Sequence, residues 1–137
     1  MAEANAASLF ERIGGSAVVD VLVERFYGNM DTLPEAAGIR AMHQPDLGPV
    51  KEVLKRYFTE WLGGPPLYST ERGHPRLRMR HMHVRIGIAE RDAWLRCMRG
   101  ALDDAVTDDT AREDIYRALS GLADHMRNTD EGPAGRR

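Results

Sequence analysis

The stretch Val50–Pro66, VKEVLKRYFTEWLGGPP, decides the fold class. Its apolar residues Val50, Val53, Leu54, Tyr57, Phe58, Trp61 and Leu62 fall at offsets 0, 3, 4, 7, 8, 11 and 12. That is the spacing of one face of an α-helix, with Lys51, Glu52, Lys55, Arg56 and Glu60 on the other. The run Gly63-Gly64-Pro65-Pro66 ends it, because glycine accepts the backbone geometry of a helix end and proline cannot continue the hydrogen-bond ladder.

The same period extends outward in both directions. Upstream, Ser8 and Glu11 have the S-x-x-E spacing of a capping box, and Gly14-Gly15 closes the short helix they open. Ser16 is expected to cap a second helix carrying Val18, Val19, Leu22, Val23, Phe26, Tyr27 and Met30. Pro34 and Gly38 mark a turn region. Downstream, PPLYSTERGHP reads as a long connection. Pro75 can open a short helix to His83 as its first residue, and Ile86-Gly87 breaks it. A longer helix follows with Ile88, Trp94, Leu95, Cys97, Met98, Ala101, Leu102 and Val106. Thr110 and Glu113 form a second capping box before a last helix bearing Ile115, Leu119, Leu122, Ala123 and Met126. No stretch alternates with period two and no hairpin signal occurs, so the fold class is all-α. Short helices broken by glycine suit crossed packing better than a regular four-helix bundle. The polar, Gly-rich run from Asn128, NTDEGPAGRR, reads as a disordered tail (128–137) behind a single domain over residues 1–127.

Composition narrows the class. With 137 residues the chain can bury one core without staples. A net charge of −2 argues against a general nucleic-acid binder, and the helix-turn-helix, zinc-finger and RNP patterns are missing. Cys97 is the only cysteine, so neither an internal disulfide nor a cysteine-rich zinc site can form, which points to a reducing compartment. The N-terminal sequence has no basic region followed by an apolar run, and no segment is apolar for the ~20 residues of a membrane span. A cytoplasmic location is expected.

One stretch is chemically dense. RGHPRLRMRHMHVRIG, Arg72 to Gly87, holds His74, His81, His83 and five arginines. Zinc ligands on one helix face need a spacing of three or four, and His81 and His83 are two apart. A surface helix with solvated arginines is the ordinary alternative, but it must accommodate Leu77, Met79 and Met82 between the charges. A segment mixing apolar and basic residues also suits a ligand that is apolar in the middle and anionic at its edge, as haem is.

With these residues in view, GGPPLYSTERGHPRLRMRHMHVRIGIAERDAWLRCM closely resembles the central block of the group II truncated haemoglobins. The similarity extends to LFERIGG and VERFYGNMD upstream and into the last helix, over roughly Ser8 to Met126. The resemblance implies a two-on-two helical sandwich around haem b (iron protoporphyrin IX). His81, in RLRMRH, resembles the proximal iron ligand. Tyr27, in RFY, resembles the distal tyrosine, and Trp94, in ERDAWL, the distal tryptophan. His43, in AMHQPDL, stands where family members often carry Phe or Tyr. Val50 and Leu54 occupy the distal-helix positions facing the ligand. The implied ligands are O₂, CO and NO, with a reductase as a further partner and a monomer or homodimer as the assembly.

The residue chemistry agrees with these assignments. A proximal His81 needs its second ring nitrogen oriented, and on a short helix the Leu77 carbonyl, four residues back, is the expected acceptor. A diatomic ligand that draws electron density from iron is stabilised by donors, and Tyr27 and Trp94 carry an O–H and an N–H. Both residues are also common in ordinary cores. His43 is either a third distal donor, titrating near neutrality, or a polar residue at the haem edge. Tyr68, His74, Arg76, Arg78 and Arg80 are candidates for the haem carboxylates, with Arg78 and Tyr68 preferred. Leu54, Phe58, Leu62, Met79, Ile86 and Met98 are expected apolar walls. His83 is expected to be incidental, and Cys97 a small buried side chain. Oxygen binding as carrier, store or sensor is the first reading of function. A haem peroxidase or NO dioxygenase is the second, and a non-haem interaction module the third.

Overall fold

The structure is a computed structural model that describes residues 8–129. The expected tail beyond Thr129 lies outside the described residues. The described residues form helices joined by turns, with no strand, and none of the helices is long and apolar enough to cross a membrane.

Helix α1 (Leu9–Ile13) opens as expected, with the Glu11 N–H donating to Ser8 Oγ at 3.1 Å. Gly14 closes it at φ 118°, a left-handed conformation that disfavours any residue with a Cβ. Helix α2 (Ser16–Thr32) starts at Ser16 itself, so Ser16 is its first helical residue and not its cap. The region after it is not a simple turn. A 3-10 turn (Pro34–Ala36) leads into α3 (Ala37–Ala41), and Gly38 lies inside that helix. Arg40 holds the segment in place, donating to Asp31 at 2.6 Å and to the Gln44 and Pro45 carbonyls at 3.0 and 2.9 Å.

Helix α4 spans Gly48–Trp61. The connection beyond it contains α5 (Leu67–Arg72), a helix the sequence does not announce. Its stability comes from a distant residue, since Glu60 accepts the Ser69 N–H at 2.7 Å, one of the amides a helix start leaves unpaired. Helix α6 (Leu77–Arg80) is shorter than expected. Arg76 precedes it at φ 47°, so Pro75 does not begin it, and it ends before His81. Helices α7 (Ile88–Ala105) and α8 (Asp109–His125) are the last among the described residues. The cap of α8 is Asp108, whose carboxylate accepts the Ala111 N–H at 3.0 Å. Thr110 sits in the first turn, and Glu113 pairs with Arg99 at 2.8 Å instead of closing a box.

Two pairs of long helices build the body. α2 packs on α4, α7 packs on α8, and α2 joins the pairs by packing on α7. This is the expected two-on-two sandwich. Its buried centre is made of Leu22, Val23, Phe26 and Met30 from α2, Met98 and Leu102 from α7, and Ile115 from α8, each no more than 1% exposed. The stripe on α4 behaves differently. Only Phe58 and Leu62 of its seven apolar residues are buried. The others are half-buried, because much of that face borders a cavity instead of another helix.

Candidate functional site

That cavity has a volume of about 420 Å³, in the usual range for a small-molecule site. Helix α2 contributes Tyr27, the α3 region contributes Ile39, Met42 and His43, and α4 contributes Val50, Val53, Leu54, Tyr57 and Phe58. Tyr68 comes from α5, while Leu77, Arg80, His81, His83, Val84 and Ile86 come from α6 and the segment after it. Glu90, Arg91 and Trp94 of α7 and Leu119, Leu122, Ala123 and Met126 of α8 close the remaining wall.

The fold therefore brings together Tyr27, His43, Val50, Leu54, Phe58, Tyr68, His81, Ile86 and Trp94 from six separate parts of the chain. Five expected contacts lie elsewhere. Leu62 is buried past the end of the cavity, beside α1, where its carbonyl accepts the Phe10 N–H at 2.9 Å. Met98 stands one turn beyond Trp94 and faces the sealed core. Met79 is 61% exposed, so it meets solvent. Arg78 is taken up by the carbonyls of His125 and Arg127, both at 3.1 Å. His74 is exposed, and its Nδ1 accepts the Arg76 N–H at 3.0 Å, bracing the left-handed turn. Of the wider carboxylate candidates, Arg80 lines the cavity and Arg76 does not.

His83 is exposed, as expected, and also borders the cavity. Helical spacing would set it on a different side from His81, but α6 ends at Arg80. The Val84 N–H donates to the His81 carbonyl at 3.2 Å as the chain turns, so residues two apart can reach the same space. Arg91 and Glu90 were also not anticipated. Their signal is weak in sequence, since charged residues at the start of a helix usually serve its cap, and Glu90 does so by accepting the Gly87 N–H at 2.7 Å.

A contiguous group of rings forms one side of the site. Phe26 meets Tyr27 and Trp94 edge-on at centroid distances of 4.9 and 5.1 Å, and Tyr27 meets His43 at 5.9 Å. Tyr27 is 4% exposed, and burial pushes its phenol pKa well above the ordinary value, so it stays a protonated donor at neutral pH. Among the described residues neither its O–H nor the indole N–H of Trp94 makes a hydrogen bond. Tyr27 is buried and Trp94 half-buried, and both line the cavity, so the two donors border one apolar space.

The two cavity histidines with resolved partners share one local geometry. His81 Nδ1 lies 2.6 Å from the Leu77 carbonyl, the acceptor expected from the sequence. His43 Nδ1 lies 2.8 Å from the Ile39 carbonyl. A carbonyl oxygen only accepts, so each Nδ1 carries the hydrogen. In the neutral ring Nε2 is then left with its lone pair, as an iron ligand requires at His81. At His43 the same logic makes neutral Nε2 an acceptor. Elsewhere burial raises the Tyr57 phenol pKa, with Tyr68 and Glu60 adding to it. Cys97 is a buried thiol whose pKa burial pushes up to about 11, which suits a core side chain.

Comparison with known proteins agrees with this architecture. The family model for "Bacterial-like globin" matches residues 8–128. The group 2 truncated hemoglobin YjbI of Bacillus subtilis is 36% identical over 117 residues, 85% of this chain and 86% of that one. Among solved structures, the group II 2-on-2 hemoglobin of Agrobacterium tumefaciens superposes with a TM-score of 0.88 at 48% identity, covering 90% of this chain and 96% of that one. The group II truncated hemoglobin of Bacillus anthracis gives 0.87 at 35% identity, covering 96% and 99%. An all-α two-on-two body, one apolar cavity with an oriented imidazole, and sequence similarity along nearly the whole described chain place this protein in the bacterial-like globin family, among the group II truncated haemoglobins.

Proposed function

We propose that this globin holds haem b in the cavity through His81 and binds O₂, with CO and NO as competing ligands, beside Tyr27 and Trp94. Membership of the family implies haem, and the residues present fit it. The walls are largely apolar, as the ring requires. One histidine offers an Nε2 lone pair with its tautomer set by Leu77. Arg80, Arg91, His83, Tyr57 and Tyr68 supply polar or cationic groups at the wall, where propionates need partners. Haem bound here supplies an iron atom that can coordinate a diatomic gas.

The observation that carries the reading is the pair of partnerless donors, Tyr27 O–H and Trp94 N–H, beside an otherwise apolar cavity. Each can donate to a ligand that gathers negative charge, and a dry site strengthens both bonds. His43 has a different task in its neutral form. With Nδ1 committed to Ile39, its neutral Nε2 can only accept, so it adds no third donor toward the ligand. Two donors favour retention of O₂ over fast release, which suits sensing or redox chemistry on the bound gas better than bulk transport.

The test is stopped-flow O₂ dissociation from the ferrous protein, wild type against Tyr27→Phe and Trp94→Phe. Faster release in both variants is the expected result. Equal rates in all three proteins would remove the donors from the reading. A purified protein that shows no Soret band after haem addition would remove the haem reading itself and leave an all-α interaction module.

A further inference from the structure

The segment bearing His81 is held in an unusual way. Helix α6 is four residues long and packs extensively on no other helix among the described residues. Its restraint comes instead from hydrogen bonds to the end of α8. Arg78 donates to the His125 and Arg127 carbonyls. Asn128 does more. Its backbone N–H donates to the Ile86 carbonyl at 2.9 Å. Its side-chain Oδ1 accepts the Ile86 N–H at 2.9 Å. Its Nδ2 donates to the Val84 carbonyl at 2.8 Å and, at 3.3 Å, to the carbonyl of His81 itself.

One primary amide thus ties together three backbone positions across residues 81–86. The bond pattern also sets its orientation, since a flipped amide would face N–H toward N–H and oxygen toward two carbonyls. Few side chains can do this. The position needs one acceptor and two donors on a short stem, which aspartate, serine and leucine each fail to supply. It is also the residue at which the polar tail was expected to begin, so composition conceals its role.

We propose that Asn128 is a positioning residue for His81, fixing the backbone that carries the imidazole and coupling the end of α8 to the proximal iron bond. The proposal rests on the reading of His81 as the iron ligand. Partners that orient a metal ligand without touching the metal typically change affinity by about 10- to 100-fold when removed.

The experiment uses the full chain reconstituted with haem b. Asn128→Ala and Asn128→Asp are compared with wild type by the iron–histidine stretching band of the ferrous protein and by the rate of haem transfer to an acceptor globin. Asn128→Asp keeps the acceptor for Ile86 N–H and loses both donors, so it tests the link to His81 even if the alanine variant fails to fold. Ser120→Ala, which removes only the bond from Ser120 Oγ to the Tyr116 carbonyl within α8, serves as the control for general loosening. The expected result is a shifted or broadened band and roughly tenfold faster haem transfer in the Asn128 variants, with Ser120→Ala unchanged. An unmoved band in the Asn128 variants overturns the proposal, as does an equal shift in Ser120→Ala. His81→Gly separates the two readings. If it keeps the wild-type band, the ligand assignment fails. If it loses the band while Asn128→Asp does not alter it, only the positioning role fails.

Discussion

The two sides of the cavity are built by different physics. On the distal side, Tyr27 and Trp94 stand on 17- and 18-residue helices, and their rings are packed against Phe26, which is 1% exposed. Interdigitated apolar surface holds these donors, and it tolerates little movement. On the proximal side, His81 follows a four-residue helix with no buried residue. Its segment is held by directional bonds, exposed ones from Arg78 and part-buried ones from Asn128. Stability and iron chemistry should therefore separate under mutation. A distal core change strikes the fold first, and a proximal change strikes the haem first.

The largest expected effect is proximal. His81→Gly should abolish the native ferrous haem spectrum, with added imidazole restoring it, while circular dichroism of the haem-free protein stays near wild type. Retention of the native spectrum would assign the iron to another residue. The mirror experiment is distal. Phe26→Ala should cost about 3–5 kcal/mol in urea unfolding, because it opens a void between α2 and α7 under both donors. A loss below about 1 kcal/mol would mean that the ring cluster is not the rigid half of the site.

The donors themselves come next. Tyr27→Phe and Trp94→Phe should each speed O₂ release by roughly tenfold, the equivalent of one hydrogen bond of about 1.4 kcal/mol. His43→Phe should change the rate less than either donor variant, because neutral Nε2 accepts and adds no donor. An acceleration of roughly tenfold or more would contradict the tautomer read from Ile39.

The smallest effect concerns the ion pairs beneath the proximal segment. The Arg91 and Arg127 guanidinium groups hydrogen-bond to Asp124 at 2.6 and 3.1 Å and hold its carboxyl pKa below the ordinary value. Its folded pKa is thus lower than its unfolded one. The stabilisation is complete above the unfolded value and is lost as pH falls toward the folded one. Asp124→Asn should flatten this part of the acid limb in a melting-temperature profile and leave the neutral melting temperature little changed.

Some of this was legible in the residues. The Ser8 cap of α1, the α2 and α4 periodicity and the glycine stops appear where expected, since they depend on contacts within a few positions. The Leu77 acceptor was legible for the same reason. Arg78, Met79 and His74 were not, because a chain that leaves the helix after Arg80 and enters it from a left-handed Arg76 no longer follows helical spacing. Helix α5 was hidden because Glu60, in another helix, satisfies its first turn. Asp108 displaced the expected Thr110 cap by two residues, since any short side chain with an acceptor can compete for that position.

The sequence by itself determined the all-α class, the order of the long helices and, by resemblance, the family and the roles proposed for Tyr27, His81 and Trp94. These follow from local periodicity and from a long ordered block of residues. Only the tertiary structure decided which apolar faces meet the sealed core and which border the cavity, because both kinds of face carry the same pattern. It alone brought His83 to the wall and committed Nδ1 of His43 to a carbonyl. It also turned Asn128 from the start of a tail into a clasp on the proximal backbone, since a polar residue's role depends on which unpaired groups the fold places within its reach.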